Sequence, residues 1–425
     1  MRFVWMFLVL AACPAKPAER PEPVATAPPT TTTMAHVVAP KPLVSKGHEV
    51  DWWFAFKFNA ATYTSCTGTK ACPFGGTVQP YPRGQDEQFA FASSESPELV
   101  MSTTCVGATD DDPVGATFAQ IYSGQAFYVI WNDQFYEDPK ITGCEKSCSS
   151  PWAHSKGMVA WGSSGEGVAM QVTTPSWPAS GSAAHPRVTD GNTLGCISDD
   201  NVLVSQHFFA VRLTHEDLVK VLKAVKNASI VTDVTNPQIV HDGGPADVSA
   251  IVQTLGKHDP STAFTKETLA TGVTLVSKPH ALHVPPWQMV SAIFGGVPLR
   301  TATWWEEDPS RKPIPSTNAS TPIGCWDASL GHAGAVKIAT TGTWDGKTIG
   351  LKGGLGKDFN HAKLAVTTDA ASKLVFFGDM NQEGSLTDKC TASQNGRGGL
   401  FYAVNDAKLH ASVTALLNGA TAPTN

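Results

Sequence analysis

His154-Ser155-Lys156-Gly157-Met158-Val159-Ala160-Trp161 and, in the other half of the chain, His361-Ala362-Lys363-Leu364-Ala365-Val366 share one plan. The first His-x-Lys leads into the apolar run Met158 to Trp161, a polar turn from Gly162 to Glu166, and a second apolar run from Gly167 to Val172. The other leads into Leu364 to Val366, a turn around Asp369 to Ser372, and then Leu374 to Phe377. Each reads as a β-hairpin headed by a histidine and a lysine. On a strand, residues i and i+2 share a face, so each element is expected to set an imidazole beside an ammonium.

Two such elements supply complementary chemistry. A neutral imidazole can attack a phosphodiester, a neighbouring lysine can hold the phosphate oxygens, and a second, protonated histidine can give its proton to the leaving alkoxide. A single His-x-Lys says little in a chain with 13 histidines. Its repetition with matching downstream context says more. The alternative, two partly solvated strand-edge histidines with lysines facing water, stays open on the pattern alone.

Outward from the hairpins, Asp51-Trp52-Trp53-Phe54-Ala55-Phe56-Lys57-Phe58 predicts a buried first strand, and Phe127 to Trp131 and Leu400 to Val404 predict others. Thr214 precedes Leu218, Val221, Leu222 and Val225 at helical spacing. A second helix carries Val248, Ile251, Val252 and Leu255 and stops at Gly256; a third runs from about Asp406 to Leu417. Strands interleaved with helices give an α/β (α+β) layered architecture.

At 425 residues, 42% hydrophobic, the chain is long enough for one large domain or two lobes. A net charge of −6 excludes a protein that grips nucleic acid by overall positive charge. Any such contact needs a local groove, or charge gained by histidines in acid.

The N-terminus, Met1-Arg2, an apolar run from Phe3 to Leu10, then Leu10-Ala11-Ala12-Cys13, resembles a lipoprotein signal over residues 1–13, with Cys13 the acylated residue. An ordinary cleaved signal with an incidental cysteine is the alternative. Residues 14–47 are rich in Pro, Ala and Thr and read as a linker. No other segment reads as a membrane span. These features predict an exported protein tied to a membrane by its lipid, facing the periplasm or lying at the outer membrane, or else extracellular. Cys66, Cys72, Cys105, Cys144, Cys148, Cys196, Cys325 and Cys390 then form an even set for disulfides, with Cys66 to Cys72 and Cys144 to Cys148 close enough for local loops. Spacing does not choose among the pairings, and it does not match a zinc knuckle.

His154-Ser155-Lys156-Gly157 and Asn360-His361-Ala362-Lys363-Leu364-Ala365-Val366 resemble the two histidine–lysine elements of the deoxyribonuclease II family. In order around them, Asp51-Trp52-Trp53-Phe54 through Phe56-Lys57, Trp131-Asn132-Asp133-Gln134, Gly191-Asn192-Thr193-Leu194-Gly195-Cys196-Ile197-Ser198, Gly378-Asp379-Met380-Asn381 and Gly396-Arg397-Gly398-Gly399 are similar to further family segments. The resemblance implies a phospholipase D-like fold of two pseudo-symmetric lobes, each a sheet flanked by helices, with the site at the seam. The lobes would be residues 48–235 and 236–425. It also implies a metal-independent, cofactor-free endonuclease that passes through a phosphohistidine and leaves 3′-phosphate and 5′-hydroxyl ends on DNA, and it leaves room for a homodimer. His154 and His361 would be nucleophile and general acid, in either order, and Lys156 and Lys363 would hold the scissile phosphate. Asn381, with Asp379 beside it, would position that phosphate or a histidine, and Ser176 would be Asn381's counterpart in the first lobe. The phospholipase D signature has an aspartate five residues after the lysine; Trp161 and Thr368 stand there instead. That departure favours the nuclease over a lipase. A phospholipase D-like action on lipid head groups, or a non-catalytic DNA-binding envelope protein, are the alternatives.

Other clusters carry less. His280-Ala281-Leu282-His283, ahead of Val284-Pro285-Pro286, is expected on an extended segment whose histidines face apart. Asp110-Asp111-Asp112 is expected as a solvated loop, and His241-Asp242-Gly243-Gly244 as a turn into the next helix. Most of the 12 tryptophans belong to a core, and those near the site could stack on bases.

Overall fold

The computed structural model describes Met1 and residues 36–63, 74, 88–107, 109–144, 146–187, 192, 194, 203–305, 316–382, 386, 389–391 and 394–424. Cys13, Cys66, Cys72, Cys196, the signal over 1–13 and most of the linker lie outside the described residues. Residues 36–425 form one compact unit.

Two large sheets organise that unit. The eight-stranded sheet runs, in spatial order, Val240–His241, Phe127–Asn132, Lys156–Trp161, Gly167–Val172, Gln206–Leu213, Trp52–Lys57, Gln88–Ser93 and Val100–Cys105, with every neighbouring pair antiparallel. The seven-stranded sheet runs Thr265–Thr268, Thr274–Lys278, Gly399–Asn405, Leu374–Gly378, Leu364–Thr367, Leu299–Ala302 and Val336–Ile338. Its last pair is parallel and the rest are antiparallel. The two orders match at their centres. In each, the strand after His-x-Lys pairs with its hairpin partner, that partner with a long third strand, and the third strand with one from earlier in the chain, Trp52–Lys57 or Thr274–Lys278.

One core lies between the sheets. Phe377 of the seven-stranded sheet stacks on Phe209 at 4.6 Å and packs against Phe54 at 4.5 Å. All three side chains are fully buried, each contributing roughly 2–3 kcal/mol by apolar transfer. Helix His215–Ala228 packs on strands of both sheets. Thr214 and Asp217 form a capping box at its start, and Leu218, Val221, Leu222 and Val225 are its buried face, as the spacing predicts. Asp406 caps the helix Ala407–Leu416 by accepting from Lys408 and Leu409 N–H.

Several expectations are corrected. The helix bearing Val248 spans only Ala246–Val252 and ends before Leu255 and Gly256. His280–Leu282 is a 3-10 turn rather than an extended segment, with His283 in the left-handed region at φ 55°. Asp112 is not solvated: buried, it caps helix Pro113–Tyr122 by accepting from Val114 and Gly115 N–H, and burial raises its carboxyl to about 6. The body also begins inside the expected linker, because Leu43–Ser45 is a strand paired with His48–Glu49, and Leu43 N–H donates to Thr117 Oγ1. Val240–His241, placed by sequence in the second lobe, is the edge strand of the first sheet. Cys144–Cys148 and Cys325–Cys390 are disulfides, and Cys105 is disulfide-bonded as well. No described helix is long and apolar enough to cross a membrane.

Candidate active site

The two His-x-Lys elements enter their strands from the same seam. Only Lys156 lies within a strand; His154 precedes Lys156–Trp161, and His361, Ala362 and Lys363 all precede Leu364–Thr367. The expectation of both pairs on strands is therefore corrected: they occupy the entry segments, where backbone groups are released from their own ladder. Those groups bond the opposite sheet. His154 N–H donates to Gly398 O, and His361 and Ala362 N–H donate to Ser205 O.

The rings are held across the seam too. His154 Nδ1 is 2.8 Å from the carbonyl oxygen of Asp379, just past the Leu374–Gly378 strand. The His361 ring bonds the backbone of Thr173, just past the matching Gly167–Val172 strand, and its Nδ1 lies 3.3 Å from Gln206 Oε1. A ring donating from Nδ1 to a carbonyl keeps its proton there, which leaves Nε2 for chemistry. Asn381 Nδ2 stands 3.5 Å from His154 Nε2.

The lysines differ in their partners. Lys156 Nζ donates to Asp133 Oδ1 at 2.5 Å, and Arg397 donates to Asp133 Oδ2 at 2.8 Å. Asp133 Oδ2 is 4.0 Å from His154 Nε2. Lys363 Nζ donates to the carbonyl of His361 at 2.6 Å. Asp133 and Arg397 were legible only as members of quoted segments; the structure places both in the centre.

A hydrogen-bond chain joins the two elements. Lys363 N–H donates to His207 Nδ1, which leaves His207 Nε2 to donate toward Gln171 Oε1 at 3.5 Å. Gln171 Nε2 donates to Asp379 Oδ1, and Ser155 Oγ donates to Asp379 Oδ2 at 2.5 Å. Ser155 in turn accepts from Trp131 Nε1. Asp379 thus anchors its segment with its side chain and orients His154 with its carbonyl. His207, Gln171, Ser155 and Gln206 had no signal in the sequence beyond being polar residues in or beside apolar strands.

Electrostatics follow from burial. His154, Lys156, His361, Lys363 and Asn381 are all nearly inaccessible, the most exposed at 6%. Burial holds both imidazoles well below the usual histidine range; Asp133 opposes this at His154, whereas at His361 Lys363, Lys156 and His154 reinforce it. Burial pulls Lys156 down against Asp133's attraction, and it pulls Lys363 down further, with Lys156 adding to the effect. Burial would raise Asp133, but Lys156, His154 and Arg397 outweigh it and hold its carboxyl far below the carboxylate range. Burial pushes Asp379 up to about 7, against the hydrogen bonds from Ser155 and Gln171. Lys156 and Arg397, both bonded to the one firmly ionised carboxylate of Asp133, leave positive charge in excess there, which suits an anionic phosphate.

Ser176 is buried at φ 58°; its N–H donates to Gln134 O and its carbonyl accepts from Arg187. Trp304 is the aromatic at the site, edge to face with His361 at 4.9 Å. Among the described residues no group of three or more His, Cys, Asp or Glu is set to hold a metal.

Two sheets with matching strand order, meeting at a paired histidine–lysine centre, define a phospholipase D-like α/β protein. The chain belongs to the deoxyribonuclease II family, whose model, described as Deoxyribonuclease II, matches residues 41–421. It is thus a nuclease of the deoxyribonuclease type, with DNA as the substrate class. No curated protein matches the chain. The disulfides fit an extracellular or periplasmic location.

Proposed function

We propose that the chain is a metal-independent DNA endonuclease in which His361 is the nucleophile and His154 the general acid. The supporting observation is one difference between two rings that burial and nearby cations both hold below the usual histidine range: a carboxylate, Asp133, stands beside His154 and favours its imidazolium, whereas the charged neighbours of His361 are all basic. His361 Nε2 attacks phosphorus, the bond to the 5′ oxygen breaks, and His154 gives that oxygen its proton. Neutral again, His154 takes a proton from water; the water oxygen bonds to phosphorus, the P–N bond breaks, and 3′-phosphate and 5′-hydroxyl ends remain. Lys156 and Lys363 hold the non-bridging oxygens, whose charge restores the protonation that burial disfavours. Asn381 can turn either end of its amide to His154 Nε2, so it follows the proton through both steps.

The test is plasmid cleavage by the full chain from about pH 4 to 8, with and without excess EDTA, followed by end-group analysis. Cleavage in EDTA with 3′-phosphate ends, abolished in His154→Ala and in His361→Ala, is expected. EDTA-sensitive cutting or 5′-phosphate ends would refute the mechanism, and release of lipid head groups without DNA cutting would move the activity to lipid. Export through the 1–13 signal with acylation at Cys13 is part of the proposal. It requires a lipid-modified N-terminal peptide, lost in Cys13→Ser, by mass spectrometry.

A further inference from the structure

One strand at the matching place in each sheet ends in a lysine: Trp52–Lys57 beside Gln206–Leu213 in one sheet, Thr274–Lys278 beside Gly399–Asn405 in the other. The registers match, with Lys57 opposite Gln206 and Lys278 opposite Gly399, the first residue of each neighbouring strand. Both side chains are buried, at 2% and 0% exposure. Lys57 Nζ donates to Val204 O at 2.8 Å, and Lys278 Nζ donates to Arg397 O at 2.7 Å and Asn395 O at 2.9 Å. Val204 and Arg397 each stand two residues before those strands begin.

The carbonyl that follows in each loop receives a histidine from the other sheet. Ser205 O accepts from His361 N–H at 2.7 Å, and Gly398 O accepts from His154 N–H at 2.9 Å. The Lys278 loop delivers more: Arg397 reaches Asp133 and the carbonyls of Trp152 and Ala153, and Gln394 Oε1 accepts from Asn381 N–H. Burying an ammonium among carbonyls is costly, and burial alone pulls Lys278 down to about 7. A methionine would fill such a space without that cost, so the charge calls for a role in placing the loop.

We infer that Lys57 and Lys278 are a symmetry-related pair of positioning residues, each fixing a loop so that its next carbonyl seats the histidine delivered from the opposite sheet. The inference rests on the two-histidine reading. It assigns Lys278 to His154 and Lys57 to His361.

The test compares Lys57→Met, Lys278→Met, His154→Ala and His361→Ala, as full chains, on DNA and on bis(p-nitrophenyl) phosphate, whose phenolate leaves without protonation. Each lysine variant should lose about 100-fold in kcat on DNA with little change in KM, the cost of a misplacement on the order of 1 Å. The ratio of the losses on the two substrates should pair Lys278→Met with His154→Ala and Lys57→Met with His361→Ala. Where a methionine variant gives no cooperative melt, the leucine variant, which also removes every donor to the loop, is read the same way. Activities within about threefold of wild type, or equal ratios for both lysines where the histidine ratios differ, would overturn the inference alone. A wild-type chain that cuts neither substrate overturns the nuclease reading itself.

Discussion

Asp133→Asn is the sharpest perturbation of the centre, because it keeps the shape of the side chain and removes the one charge that Lys156 and Arg397 both face. Asp133 is 1% exposed, with Lys156 at 2.5 Å and Arg397 at 2.8 Å. Asparagine would retain one acceptor and turn an amide N–H toward the other cation, leaving two buried positive charges in mutual repulsion. Removing one partner from a buried ion pair costs ~3–5 kcal/mol. Urea unfolding at neutral pH should show that loss as a lower midpoint at unchanged slope. Adding Arg397→Gln to Asp133→Asn should recover part of it, since the second change removes an orphaned charge. Activity should fall by about 100-fold as well, because Arg397 releases the Trp152 and Ala153 carbonyls that lead into His154 and Asp133 no longer favours its imidazolium. The sign with pH follows from the depressed Asp133 carboxyl: its stabilisation is fully present above the unfolded value near 3.9 and is lost as pH falls through the lower folded value. A variant within about 1 kcal/mol of wild type, or one no more stable once Arg397 is also neutral, would refute this account of the centre.

Three further outcomes follow. Trp304→Ala should raise KM for DNA by roughly tenfold, the worth of one stacked base, and leave KM for a nitrophenyl phosphodiester unchanged; equal effects on both would reduce Trp304 to a wall for His361. His154, His207 and His361 are all held below the usual histidine range by burial, so they contribute stability that is full above about pH 6.5 and lost as pH falls below it. Asp379, raised to about 7, and Asp112, raised to about 6, act oppositely over the overlapping range, but three groups outweigh two; a urea midpoint higher at about pH 5 than at about pH 7 would contradict the balance. Replacing Cys325 and Cys390 by serine opens a loop of sequence separation 65 and should cost ~4 kcal/mol of stability while sparing kcat at low temperature.

The hairpins were legible because both of their signals are local. Apolar runs of strand length, split by Gly162 to Glu166 and by Asp369 to Ser372, fix strand, turn and strand within about twenty residues. The capping box at Thr214 and Asp217 is local in the same sense. What escaped the sequence is what converges from far apart. Asp133 and Arg397 meet across 264 positions, and Gln171 and Asp379 across 208, so no window contains either pair. Signals existed nonetheless: Asp133 follows the wholly apolar run Phe127 to Trp131, and Lys57 and Lys278 close the apolar-rich runs Trp52–Lys57 and Thr274–Lys278. A charge at the end of a strand is ordinarily solvated, and only burial shows these to be enclosed. Counting residues along the chain could not find what meets the ring of His361, the backbone of Thr173 and Gln206, because Gln206 belongs to a different strand.

The exchange of contacts across the seam explains why the centre belongs to both sheets at once. His154 rises from the first sheet, yet its N–H and its ring are fixed by Gly398 and Asp379 of the second; His361 rises from the second and is fixed by Ser205, Thr173 and Gln206 of the first. Neither sheet alone could orient its own histidine, because the groups that choose the ring's protonated nitrogen arrive with the partner sheet. On the two-histidine mechanism proposed above, the shared core of Phe54, Phe209 and Phe377 would contribute to catalysis as well as to stability. Phe377→Ala, which would cost ~3–5 kcal/mol of packing at the interface of the sheets and remove the ring packed against His207, should disturb both histidines. Since each ring is held from across that core, a loosened interface frees them together, and kcat should fall in parallel with stability while the local bonds of each His-x-Lys remain as they were.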